Sequence, residues 1–207
     1  MTKFVDVLKE MRDHYQNNIN TGVAIPYYPN LVEDSLDLME ATNKYLVADD
    51  SELADNPVQS KLNDLRNQAK VLATNTASTI EEKLKKSAKE LKDSDNSDSL
   101  HSKFKDELNK IREDAKKKAS DNIDKMFDEA EKIGNDFPAA QNLILVAAQK
   151  INELINDLLT KIVDYIVGII KNIVEWIKMA WDAITKVFND ITKVFNDIII
   201  WISHWFK

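Results

Sequence analysis

Residues 184–207 read ITKVFNDITKVFNDIIIWISHWFK, a seven-residue unit repeated letter for letter and followed by the most apolar run of the chain. Seven residues make two helical turns to within about 20°, so the repeat stacks like upon like along one side of a helix. Ile184, Ile191 and Ile198 form one row, Val187, Val194 and Trp201 a second, and Phe188, Phe195 and Ile202 a third. Three adjacent rows make a face broader than the two-row seam of a coiled coil.

Upstream of this repeat the apolar step lengthens to eleven. Ile recurs at 151, 162, 173 and 184 and again at 155, 166 and 177, while Glu153, Asp164, Glu175 and Lys186 keep the same step on the other side. Eleven residues fill three turns at nearly the natural helical period, which holds the stripe on one side of an almost straight helix. Pro138 suits the first turn of that helix, where its missing N–H is no loss, and no proline follows it. The segment 139–207 therefore reads as one long apolar-rich helix, on the order of 100 Å at 1.5 Å per residue, or as a hairpin hinged at Gly168 or near Met179 and Ala180.

The rest of the chain is helical by the same criterion. Phe4, Leu8, Met11, Tyr15 and Ile19 predict a helix over 2–19, ended by Gly22, Pro26 and Pro29. A second, acidic helix is expected over 31–47 with Val32, Leu36, Met39 and Leu46 on one side, followed by a polar linker at 49–57. Narrow stripes then predict helices over 58–92 (Leu62, Leu65, Ala69, Leu72, Ile80, Leu84, Ala88, Leu91) and about 100–133 (Phe104, Leu108, Ile111, Ala115, Ile123, Met126, Phe127, Ala130), the latter closed by Gly134 and the Asn135, Asp136, Phe137, Pro138 that follow it. With only three Gly and four Pro in 207 residues, turn-formers are too few for many short strands. The expected fold is all-α: an elongated bundle of long antiparallel helices with a long apolar-rich C-terminal helix or helical hairpin. Its regions are an acidic helical part at 1–57, a charged helical hairpin at 58–138 and the amphipathic C-terminal part at 139–207.

Charge and composition narrow the function. The net charge of −7 arises in the first region, where 4 basic face 11 acidic side chains; 58–138 carries 17 of each and 139–207 carries 7 of each. Nucleic-acid binding wants a net basic stripe. The nearest candidate, Lys116, Lys117 and Lys118, sits among Glu113, Asp114 and Asp121 and reads as a solvated helix face, so no nucleic-acid partner is expected. The absence of Cys excludes disulfides, thiolate metal sites and cysteine nucleophiles. His14, His101 and His204 fall in three different segments, and no glycine-flanked serine elbow occurs. Asp93, Asp95, Ser97 and Asp98 alternate oxygens as a calcium loop does, but the sixth position is Asp98 rather than Gly and the twelfth is Phe104 rather than Glu. No catalytic residue, metal site, cofactor or small-molecule substrate is expected, and the chain reads as a non-enzyme.

What remains is the apolar face of the C-terminal part. All four Trp lie there, at 176, 181, 201 and 205, and Trp favours interfaces and membrane–water boundaries. The expected contact face is Ile173, Trp176, Ile177, Trp181, Ile184, Val187, Phe188, Ile191, Val194, Phe195, Ile198, Trp201, Ile202, Trp205 and Phe206, with a membrane or lipid surface as partner and a homo-oligomer as the working form. Packing around this helix inside a bundle is the competing reading of the same residues. Asp164, Lys171, Glu175, Lys178 and Asp182 interrupt the segment too often for a simple transmembrane span. The N-terminal residues, MTKFVDVLKEMRDHY, lack the apolar core of a signal peptide, so a cytoplasmic location or release without such a signal is the expectation.

The eleven-residue period over 151–187 resembles the helices of exchangeable apolipoproteins and of perilipin-type droplet proteins. The whole layout, long charged helices beside one apolar-rich helical segment and no cysteine, resembles helical pore-forming toxins of the cytolysin A type. That resemblance implies a soluble bundle that exposes a helix to lipid and oligomerises. The chain departs from those toxins in lacking an uninterrupted apolar tongue. The alternative expectation, carried by the heptad duplication, is a structural protein that forms a homo-oligomeric or partner-bound coiled-coil assembly.

Overall fold

The computed structural model describes residues 2–27, 57–92, 98–178 and 182–205. Among these every regular element is helical: α1 (Thr2–Thr21), α2 (Pro57–Lys92), α3 (Asp98–Asp136), a 3-10 turn (Pro138–Ala140), α4 (Gln141–Lys178) and α5 (Asp182–Trp205). The expected helix at 31–47 and nearly all of the linker at 49–57 lie outside the described residues, as do Asp93, Asp95 and Ser97 of the calcium-like run.

The end of α1 and the start of the 3-10 turn have local causes. Gly22 takes φ +72°, and its N–H donates to the Asn18 carbonyl at 2.8 Å while Val23 N–H reaches the same oxygen at 3.2 Å. That left-handed glycine closes α1. The following strap is tied back onto α1. His14 Nε2 and Asn18 Nδ2 both donate to the Ile25 carbonyl, at 2.7 and 2.8 Å, and the Tyr27 hydroxyl donates to Glu10 at 3.1 Å. Pro138 opens the 3-10 turn as its first residue.

Gly134 departs from its expected role as a cap. The helix continues past it to Asp136, because the glycine serves the neighbouring helix instead. A Cβ at Gly134 would overlap the ring of Phe4, so α1 is set down on α3 where α3 has no side chain.

One contiguous core runs through all five helices. α4 is its centre and touches the other four. Ile144, Leu145, Val146, Ala147, Ala148 and Gln149 are buried in succession, which a helix achieves only when neighbours surround it. Ile151, Ile155, Ile162 and Ile166, four members of the eleven-residue pattern, are buried as well, whereas Asp164 is exposed. The α3 stripe is buried at every expected position. On α2 the stripe shifts: Ala73 and Ala77 are fully buried while Leu72 is only half-buried, because small residues let the neighbouring helix come close and push the longer leucine to the edge. α2 and α3 are also joined by polar contacts. Asn122 Nδ2 donates to Thr76 Oγ1 at 3.0 Å in the interior, and Lys83 pairs with Asp114 nearer the surface.

Candidate interaction surface on the C-terminal helices

The segment expected as one rod or a hairpin is two helices that touch. Tyr165 of α4 meets Phe195 of α5 edge-on, with ring centroids 6.1 Å apart. The Lys161 ammonium lies 5.0 Å from the centroid of the Trp201 ring. In a single straight helix Lys161 and Trp201 would be about 60 Å apart, so α4 and α5 are not one rod. α5 packs chiefly on α2 and secondarily on α4.

The rows of the duplicated heptad explain how α5 sits. Ile191, Phe195, Ile198 and Ile202 point inward and are buried. Val194 and Trp201, from the remaining row, are half-buried at the margin. Lys193, Asn196, Asp197 and His204 face outward. Ile200 shares that outward side at 54% exposure, and Ile199 beside it is half-buried. The apolar surface of α5 is therefore wider than its seat, because the III run at 198–200 places isoleucines around most of one turn.

Of the expected contact face, then, the structure brings Ile191, Phe195, Ile198 and Ile202 into the core and leaves Val194 and Trp201 at its edge. Ile173, Trp176 and Ile177 belong to α4, and Ile184, Val187, Phe188 and Trp205 to α5; their side chains lie outside the described part. Trp181 and Phe206 lie wholly outside it.

Electrostatics around this seat follow burial. Desolvation pushes the Tyr165 phenol well above its ordinary range, with Asp190 adding to the shift, and its hydroxyl finds no hydrogen-bond partner among the described residues. One helical turn before Lys161, burial raises the carboxyl of Asp157, Lys161 works against that rise and Glu153 reinforces it. Tyr15, inserted from α1, is raised in the same way by burial and then by Glu153; its hydroxyl donates to the Gln149 carbonyl at 3.4 Å. These groups line helix contacts rather than a cleft. Among the described residues no three His, Cys, Asp or Glu side chains converge as metal ligands would. No helix among them is long and apolar enough to cross a membrane.

Two features of this arrangement escape sequence reasoning. The Phe4 socket at Gly134 was signalled only by a glycine inside a helical run in a chain with three glycines. Asn152 is fully buried on α4; its Nδ2 donates to the Ala148 carbonyl at 2.7 Å, and its Oδ1 has no partner among the described residues. Nothing in the local pattern marks it.

No family model matches the chain, and neither a curated protein nor a solved structure matches it.

Proposed function

We propose that this is a non-enzymatic helical protein that engages a membrane or lipid surface through α5, oligomerising there in the manner of a helical pore-forming toxin. One observation carries the reading: α5 bears more apolar surface than its seat covers, with Ile200 at 54% exposure beside half-buried Ile199 and Trp201. An amphipathic helix with Trp and Ile on a wide face is suited to lie in the headgroup region. The inner rows, Ile191, Phe195, Ile198 and Ile202, would add to that face on leaving the bundle.

The finer architecture belongs to the same proposal. The pairs Thr76–Asn122 and Lys83–Asp114 run in opposite order along α2 and α3, which supports long antiparallel helices. Tyr165–Phe195 and Lys161–Trp201 do the same for α4 and α5 and support a C-terminal hairpin within an elongated bundle. A hairpin whose second arm is the less tightly bound is a mechanically simple way to keep an apolar face covered until lipid competes for it.

The test is flotation with liposomes and release of an entrapped dye, read beside the mass in solution. The full chain is expected to float, and removal of residues 198–207 is expected to abolish flotation while the helical circular dichroism persists. A large assembly indifferent to lipid would favour the second reading, a homo-oligomeric or partner-bound helical assembly, for which the duplicated heptad is the specific observation.

A further inference from the structure

The duplicated heptad has a consequence for how α5 is held. The buried positions on this helix are Ile191, Phe195, Ile198 and Ile202. A slide of seven residues would bring Ile184, Phe188, Ile191 and Phe195 to those same four places. Three of the four side chains are unchanged, and the fourth becomes Phe in place of Ile. The half-buried Val194 would be replaced by Val187, and the exposed Ile200 by Lys193. Seven residues rotate the helix by only about 20° and advance it by about 10 Å, so the same face stays inward.

We infer that α5 has two seats on α2 and α4, one heptad apart, the second of which keeps the apolar contacts while carrying residues 198–205 about 10 Å beyond their present place. The partner contacts on α4 tolerate the exchange. Phe188 would meet Tyr165 as Phe195 does now, whereas Trp201 would leave Lys161 and Val194 would take its position. The slide shortens α4 at its C-terminal end by about half as many residues as it moves α5. Ile to Phe at the buried place of Ile202, with loss of the Lys161–Trp201 contact, makes the observed seat the resting one. The second seat frees the apolar tip that lipid engagement requires. That link rests on the proposed function, but the two seats do not, and they are tested without lipid.

The chain has no cysteine, so two introduced ones can form only one bridge within a chain, and a link between chains is told from it by its doubled mass. Lys161→Cys with Trp201→Cys, joined by a thiol-specific crosslinker no longer than the lysine and tryptophan side chains it replaces, reports the observed seat. Lys161→Cys with Val194→Cys reports the second, because in the observed seat that position lies a further heptad, about 10 Å, along α5. With this crosslinker on the full chain the first pair should close fast and the second slowly but completely. Ile202→Asp disrupts a buried place that only the observed seat gives to this residue and should speed the second closure by on the order of tenfold, whereas Lys161→Cys with Asp197→Cys, midway between the two registers, should close no faster with that substitution than without it. No closure of the second pair, or equal acceleration of both pairs, would overturn the inference, because general fraying brings every position of the stripe past Lys161. If Ile202→Asp loses its helical circular dichroism, Ile202→Ala takes its place, and the same signs are expected.

Discussion

α1 and α5 are both single helices laid against the α2–α4 framework, and they are held in different ways. α1 is pinned by directional contacts. Gln16 donates to the Ser120 carbonyl at 3.1 Å and to Asp124 at 3.0 Å, and Ser120 Oγ donates back to Gln16 at 2.6 Å. Arg12 pairs with Asp128 and lies over the Phe127 ring, and Phe4 fills the place that Gly134 leaves empty. Each of these contacts fails if the helix moves by one residue. The contacts that seat α5 include the apolar rows, the Tyr165–Phe195 rings and the Lys161–Trp201 stack, and rows that repeat every seven residues tolerate a shift of seven. Polar contacts fix register whereas apolar surface mainly supplies adhesion. α1 is thus specified to one position by contacts of fixed direction, whereas the apolar rows of α5 by themselves do not distinguish two positions a heptad apart.

The largest expected effect separates the two. Phe195→Ala removes a fully buried ring from the α5 seat, a change that costs about 3–5 kcal/mol. Hydrogen exchange should then show α5 amides losing protection while those of α1 keep theirs. An equal loss in both helices would erase the distinction.

Gly134→Ala probes the pinned side. Helix propensity alone favours the alanine by about 1 kcal/mol, but the added methyl displaces the Phe4 ring, and overpacking costs about 1–3 kcal/mol. Denaturant unfolding should report net destabilisation in the wild-type background and stabilisation in a Phe4→Ala background. The same sign in both would mean that the socket is not what positions α1.

The framework under both helices offers a contrast. Thr76→Val leaves the buried Asn122 amide without its acceptor, which costs about 1–3 kcal/mol. Here unfolding should remain cooperative, with α1 and α5 losing protection together, unlike the Phe195 variant. A response confined to one peripheral helix would show that α2 and α3 are not the shared base.

The smallest effect depends on pH. Burial raises the Asp157 carboxyl above its ordinary value of 3.8, Lys161 opposes the rise and Glu153 adds to it. A pKa raised by folding means that the folded state holds this proton more tightly than the unfolded chain does. The ionised group therefore opposes folding above the folded-state pKa, and the penalty fades as the pH drops towards the unfolded value. Asp157→Asn should raise Tm slightly at neutral pH, the gain shrinking on acidification. A lower Tm at neutral pH would give the carboxylate a supporting role instead.

The sequence carried the helical class and most of the core, because buried positions on α1 and α3, and on α4 beyond Gln149, recur at helical spacing. It placed the end of α3 within two or three residues, in the run that opens at Gly134, but misread the role of that glycine, since one that receives a ring from another helix is indistinguishable along the chain from one that caps its own. It left the 139–207 segment undecided between rod and hairpin, because neither Gly168 nor Met179 and Ala180 forces a break. On the contact face, periodicity showed which side of α5 is apolar. Whether Ile191, Phe195, Ile198 and Ile202 face protein or lipid depends on what lies opposite, and periodicity is silent on that.

The central claim, that α5 gives up its seat for a lipid surface, is tested most directly by tryptophan emission, since all four Trp lie between residues 176 and 205 and two of them, Trp201 and Trp205, lie on α5. On adding liposomes to the full chain, the emission should shift to the blue and become shielded from an aqueous quencher as indole rings settle at the headgroup boundary. Closing the Lys161→Cys, Trp201→Cys bridge beforehand should suppress both changes. Emission and quenching that stay the same with neutral and anionic liposomes, at neutral and mildly acidic pH, would contradict the claim.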